Sequence, residues 1–181
     1  MRVREATPGD AEALSALARE VYAAAFGVTM PPDDLAAHLE HELSHQKFRM
    51  LLVEDTFLLA ETSGELVGFV QFGNAELDAA WLTEPVELRP GDGYLERLYV
   101  RATHRNRGVG SELLRAALAH PRLGVCKTVF LDVWAENAGA VRLYARHGFV
   151  KVGELPFQAA VTGEKIGVDD LMARRNPAGR G

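Results

Sequence analysis

The run Arg105-Asn106-Arg107-Gly108-Val109-Gly110, with Ser111 after it, is the part of this sequence whose residue types and spacing speak most directly of chemistry. Two glycines let the backbone approach a bound group closely. The amides that follow open a helix, whose positive N-terminal end favours phosphate, so Arg105 to Ser111 reads as a cradle for a pyrophosphate. Two common phosphate loops do not fit. A P-loop needs Lys and then Ser or Thr after its second glycine, and a dinucleotide turn needs a third glycine three residues on, where this chain has Leu113. Taken alone, two glycines in a turn also serve purely structural ends.

A strand over Leu95 to Val100 leads into this turn and an amphipathic helix, Gly108 to Ala119, leaves it. Upstream, Arg2 to Glu5 reads as a strand, and Thr7-Pro8-Gly9-Asp10 starts a helix with Leu14, Leu17, Val21 and Tyr22 on one face. Pro31-Pro32-Asp33-Asp34 starts a second, with Leu35, Leu39 and Leu43 as its stripe. That helix is expected to run to about Ser44, and Phe48, Leu51 and Leu52 continue helical spacing to about Val53. Thr56 to Glu61 and Leu66 to Phe72 form a hairpin across Ser63-Gly64. Asn74 to Gly93 has no period and reads as a long loop bordering a site. Strands at Tyr94 to Val100, Cys126 to Trp134, Phe149 to Leu155 and Lys165 to Arg174, with a helix at Asn137 to His147, complete a mixed α/β order.

The 181 residues suit a single domain over 1–175, and 48% hydrophobic content supplies its core, with a disordered tail expected over 176–181. One cysteine, Cys126, excludes an intramolecular disulfide and reads as a buried, inert thiol, which fits a cytoplasmic protein. Neither an apolar signal core nor an eighteen-residue apolar span is present, so no membrane partner is expected. A net charge of −5 argues against a nucleic-acid partner, although Arg101, Arg105 and Arg107 make a local patch able to hold phosphates.

A second segment, Val133 to Phe149, reads as strand, N-cap, helix and stop: Asn137 is placed to cap, Ala140, Leu143 and Tyr144 share a helical face, and Gly148 supplies a left-handed end. With Arg105, Gly108 and Gly110 in the first motif and Asn137, Ala140, Leu143, Tyr144, Gly148 and Phe149 in the second, the chain resembles the Gcn5-related N-acetyltransferase (GNAT) superfamily. The resemblance implies an α/β (α+β) GNAT fold, with a mixed, mostly antiparallel central sheet splayed between two parallel strands and flanked by helices. It also implies acetyl-CoA as cosubstrate and no metal, and makes a homodimer a reasonable expectation while leaving the oligomeric state open.

It further implies roles for particular residues. The coenzyme would be held by the backbone of Leu98, Tyr99 and Val100, by Arg105, Asn106, Arg107, Gly108, Val109, Gly110 and Ser111, and by Asn137 and Tyr144. An amide near Leu98 or Tyr99 would polarise the thioester carbonyl. Glu96 stands where such enzymes place a general base, though a strand carboxylate also serves by facing solvent or pairing with Arg97 or Arg101. Tyr144 matches the usual proton donor to the coenzyme sulfur, and its phenol, ordinarily titrating near about 10, keeps its proton at neutral pH; core packing is the competing role. Asn137 combines capping with a hydrogen bond to the pantetheine arm.

Phe26, Pro32-Asp33-Asp34-Leu35, Glu96 to Val100 and Asp169 to Arg174 look like the PaiA-like branch, which includes polyamine acetyltransferases. Ala102 and Asn106 depart from it, where proline and glycine are usual. The expected reaction is transfer of acetyl to a primary amine of a small molecule, a polyamine being one candidate. Asp33, Asp34, Glu76, Asp78, Glu84, Glu87 and Asp92 are the acids available to attract it. Acetylation of a peptide or protein amino terminus, and a catalytically idle acetyl-CoA sensor, share the same motifs. Trp134 is expected to pack at the sheet split. His38, His41 and His45 share a helical spacing without the carboxylate or cysteine framework a zinc site needs, and His147 is expected to meet the last carbonyls of its helix.

Overall fold

The computed structural model describes residues 1–75, 86, 89–159 and 161–176. Its strands are β1 (Arg2–Glu5), β2 (Thr56–Thr62), β3 (Glu65–Asn74), β4 (Gly93–Val100), β5 (Thr128–Trp134), β6 (Val150–Gln158) and β7 (Lys165–Arg175). The helices are α1 (Ala11–Phe26), α2 (Pro32–His41), α3 (His45–Glu54), α4 (Val109–Ala119), the single turn α5 (Pro121–Gly124) and α6 (Ala138–Arg146). The strands form one sheet in the order β1-β2-β3-β4-β5-β7-β6, antiparallel throughout except for β4 beside β5. The expected fold is thereby observed. No helix among the described residues is long and apolar enough to cross a membrane.

Strand alternation sends side chains to two cores. Leu58, Phe72, Leu95, Leu131 and Met172 pack with Leu113 and Leu114 of α4 and Tyr144 of α6 on one face. Phe57, Leu59 and Phe69 pack with Leu14, Leu17 and Tyr22 of α1 and Phe48 of α3 on the other. Ser63 and Gly64 close the β2–β3 hairpin at φ 53° and 81°, the backbone a tight two-residue turn needs.

Three departures from expectation have local causes. The helical spacing from Leu35 to Val53 belongs to two helices, because Ser44 leaves helical backbone at ψ 154° and its hydroxyl caps α3 by accepting from Lys47 N. Leu43, in the break, is fully buried, so the apolar period runs on although the helix stops. Pro121 opens α5, an unanticipated turn between α4 and β5. Asn176, expected in the tail, belongs to the fold: its backbone N donates to Lys127 O at 2.9 Å and its side chain to Leu123 O and Cys126 O, both at 2.8 Å. Cys126 is buried, and burial raises its thiol above the ordinary range. The Asn74 to Gly93 loop lies largely outside the described residues.

Candidate active site

β4 and β5 are paired at only two positions, Gly93 with Val129 and Tyr94 with Phe130. Beyond them β4 stays with β3 while β5 turns to β7, so the sheet forks. The fork opens a cleft of about 860 Å³ that reaches both faces of the sheet.

On the α4 face the cleft is bordered by the forked edge of β4, the turn before α4, and α6. Leu98 and Val100 lie along the forked edge of β4, and Arg105, Asn106, Gly108, Gly110 and Ser111 form the rim. Gly108 has φ 83°, is exposed, and has open space where a Cβ would stand. Asn106 takes φ 59°, a conformation asparagine tolerates better than most, which explains why it serves where glycine is common. A Cβ on Gly110 would come within 3.3 Å of Leu143, so glycine there lets α4 and α6 close up. The first-turn amides of α4 have no intrahelical acceptors and sit at the positive end of its dipole. Val109 buries its side chain in the core, leaving only its amide to offer, and Arg107 is exposed outside the cleft lining. Arg101 is not a free phosphate ligand, since it pairs with Glu20 at 3.2 Å and with Glu65.

The second motif arrives from α6. Asn137 Oδ1 accepts from Ala140 N at 3.1 Å and caps the helix; Phe149 N donates to Tyr144 O at 3.1 Å, and Gly148, at φ 86°, ends it. Tyr144 lines the cleft yet is 6% exposed, its ring edge-on to Phe149. Burial, followed by the charge of Asp132, raises its phenol further above the ordinary range, so it keeps its proton at neutral pH. His147 differs from expectation: its ring meets Ser111 Oγ at 2.8 Å and ties α6 to the start of α4, because the α6 end is closed by backbone amides instead. Burial and three neighbouring arginines keep that imidazole neutral.

On the α1 face the cleft is built from side chains. Gln71 opposes Arg97 and Phe72 opposes Leu95, so Glu96 is the extra residue of a β-bulge, exposed on the cleft wall. Tyr94 Oη donates to Asp132 Oδ1 at 2.5 Å, and Asp169 on β7 lines the same cleft. Burial, and then Asp132, carries the Asp169 carboxyl up to about 7. Burial also raises Asp132, against the opposing Tyr94 bond, although that side chain is open to the cleft. Arg97 donates to Gln71 Oε1 at 2.6 Å and to the Tyr99 hydroxyl, and Gln71 in turn donates to Asp55 Oδ2 at 2.7 Å. Trp134 lies 5.2 Å from Phe26, ring centre to ring centre, at the split as expected.

Sequence reasoning missed Asp132, Asp169, Tyr94 and Tyr22 as site residues. One signal was present: Asp132 is the lone charge in the strand Thr128–Trp134. The acids expected to attract an amine are partly committed elsewhere. Burial disfavours the Asp34 charge, but the amides of Val161 and Thr162 outweigh it and hold the carboxyl below its usual range; Asp92 accepts from Arg89 N and Thr128 N. Glu76, Asp78, Glu84 and Glu87 lie outside the described residues. His38 on α2 stacks on Tyr22 at 4.0 Å, whereas His45 begins α3. No group of three or more potential metal ligands gathers among the described residues.

Comparison with known proteins bears on this geometry. The Acetyltransferase (GNAT) family matches residues 16–149. An uncharacterized N-acetyltransferase of Lactobacillus delbrueckii is 26% identical over 176 residues, covering 96% of each chain. The spermine/spermidine N(1)-acetyltransferase of Bacillus subtilis is 34% identical over 110 residues, 60% of this chain and 65% of that protein. Among solved structures, the PaiA N-acetyltransferase of Thermoplasma acidophilum, in complex with coenzyme A, superposes with a TM-score of 0.71 at 17% identity, covering 97% of this chain and 99% of that one. The family match over 16–149 spans most of the sequence, and the chain belongs to the GNAT acetyltransferase family as an N-acetyltransferase.

Proposed function

We propose that this chain transfers the acetyl group of acetyl-CoA to a primary amine of a small molecule, with a polyamine as the acceptor. The observation that carries the acceptor class is the acidic side of the cleft wall: Glu96, Asp132 and Asp169 line it on β4, β5 and β7, and Arg97, which offsets part of their charge, is engaged by Gln71 and Tyr99. A cationic amine is drawn to such a wall and an anionic acceptor is repelled. The similarity to the spermine/spermidine N(1)-acetyltransferase of Bacillus subtilis supports the same choice.

The rim suits the coenzyme. Gly108 is open to solvent at positive φ, and the first-turn amides of α4 supply donors for a diphosphate. The edge of β4 beyond Tyr94 has no strand partner on the β5 side, so Leu98 and Val100 can pair with an extended amide chain as another strand would. Bound there, acetyl-CoA supplies an acyl group activated as its thioester. The N–H of Leu98 or Tyr99 donates to the thioester carbonyl oxygen, Glu96 takes a proton from the acceptor ammonium, and Tyr144 holds at Oη the proton the departing sulfur needs. Asn137 orients α6 through its cap and borders the arm.

The test is thiol release with spermidine, amino acids, aminoglycosides and peptide amino termini in parallel. The expected result is turnover with spermidine above the rest. No turnover with any polyamine overturns the acceptor, and a dependence on peptide length points instead to amino-terminal acetylation. Tight coenzyme binding with no acetylation of any amine identifies a sensor.

A further inference from the structure

We infer that Asp132 and Asp169, together with the hydroxyl of Tyr22, form a receptor for the second, non-reacting ammonium of an alkyl diamine. The inference rests on the proposed amine acetylation and adds the residues that select among amines.

The two carboxylates share a face of the sheet. Asp132 opposes Leu171 and Trp134 opposes Asp169, so the acids are diagonal neighbours on β5 and β7, within common reach of one small cation. Neither makes an ion pair among the described residues. Asp132 accepts from the Tyr94 hydroxyl at 2.5 Å and from its own backbone amide, both neutral donors. The nearest cation in the wall, Arg97, is engaged by Gln71 Oε1 and Tyr99, and so offsets part of the acidic charge without closing on either carboxylate.

Tyr22 supplies an independent observation. It is 6% exposed, lines the cleft from α1, and its buried hydroxyl has no hydrogen-bond partner among the described residues. The groups that act on it electrostatically are Tyr99, Asp169 and Arg97, which places it on the diacid side of the cleft. A buried hydroxyl left without a partner is costly unless something that binds there supplies one. An ammonium group, with three donors, can satisfy two carboxylates and one phenolic oxygen together.

The collar defines the rest of the ligand. Phe26 lies 5.2 Å from Trp134, 5.4 Å from Phe157 and 4.7 Å from Tyr22, ring centre to ring centre. Such a wall covers an alkyl stem and attracts a cation to its ring faces. An alkyl chain carrying an ammonium at its far end matches all three features.

Steady-state kinetics with putrescine and butylamine, which differ by one amino group, read the inference directly. The parent is expected to favour putrescine in kcat/KM by about tenfold or more, the scale of a charged hydrogen-bonded contact. Asp169→Asn should bring that ratio towards one by raising KM for putrescine, and the near-isosteric Tyr22→Phe should lower it by roughly threefold. A ratio unmoved by Asp169→Asn, or equal losses for both amines, overturns the receptor while leaving the acetyltransferase reading in place. Calorimetric affinities of the parent and both variants for putrescine and butylamine apply the same criterion if no amine is turned over, the case in which the proposed function alone has failed. Should Asp169→Asn fail to fold, Tyr22→Phe decides.

Discussion

The two mouths of the fork are made of different material. On the α4 face the wall offers main chain: glycines, unpaired strand edge and helix amides, beside Leu143 and Tyr144 of α6 and held from behind by Leu113 and Leu114. On the α1 face it is side chain: Glu96, Arg97, Asp132, Asp169, Tyr22 and Trp134, brought from four elements. A surface built of backbone recognises one constant partner, because its geometry survives most changes of side chain. A surface built of side chains can be retuned by a single substitution. The contrast teaches where conserved chemistry and adjustable selectivity can coexist in one cleft, and it can be tested from both directions.

The largest expected effect is on the chemical step. Glu96→Gln should lower kcat by about a hundredfold at neutral pH, within the range of general-base losses, and by less at high pH, where the amine deprotonates unaided. A variant as active as the parent across pH removes Glu96 from the mechanism and passes the role to another carboxylate of the wall. Tyr144→Phe should lower kcat by about tenfold while leaving coenzyme affinity intact, since the ring still packs on Phe149. Unchanged turnover would reduce Tyr144 to a core aromatic.

Gly108→Val confronts the main-chain wall, because a β-branched residue at φ 83° is strained. Calorimetry should show coenzyme affinity weakened by about tenfold with the amine KM unmoved. An equal rise in amine KM would mean that the two mouths are not separable. The smallest effect is on stability. Asp169 titrates near about 7 instead of about 4, so the folded state holds a proton that the unfolded chain has lost. Its contribution is therefore fully present below about pH 4 and lost as pH rises to about 7. Asp169→Asn does not ionise, so its Tm should gain on the parent across that window by about 2 °C or more and hold the gain above it. A constant difference would show that Asp169 does not titrate there.

The same contrast explains what could be read in advance. Glycine spacing, the Asn137 cap and the Gly148 stop are local devices written in consecutive residues, so the turn before α4 and the two ends of α6 were legible almost residue by residue. Tyr22 stands more than a hundred positions before Asp132 and Asp169 along the chain, and the three meet only through the β5–β7 register and the packing of α1. The bulge at Glu96 was hidden because no glycine or proline marks it within Tyr94–Val100, and the break at Ser44 because Leu39, Leu43 and Phe48 carry an apolar stripe on across two helices. The mixed α/β order needed only period and punctuation and the sheet topology came with the family resemblance, whereas the acceptor wall needed register.

Asn176 sets a practical boundary for handling this protein. Its side chain and backbone together occupy three carbonyls, those of Leu123, Cys126 and Lys127, and so fasten the end of β7 against the turn that feeds β5. A shortened version ending at Arg175 would remove all three bonds at once and loosen the start of the very strand that carries Asp132. Affinity handles and fusion partners therefore belong after this asparagine, with a spacer that leaves its clasp closed.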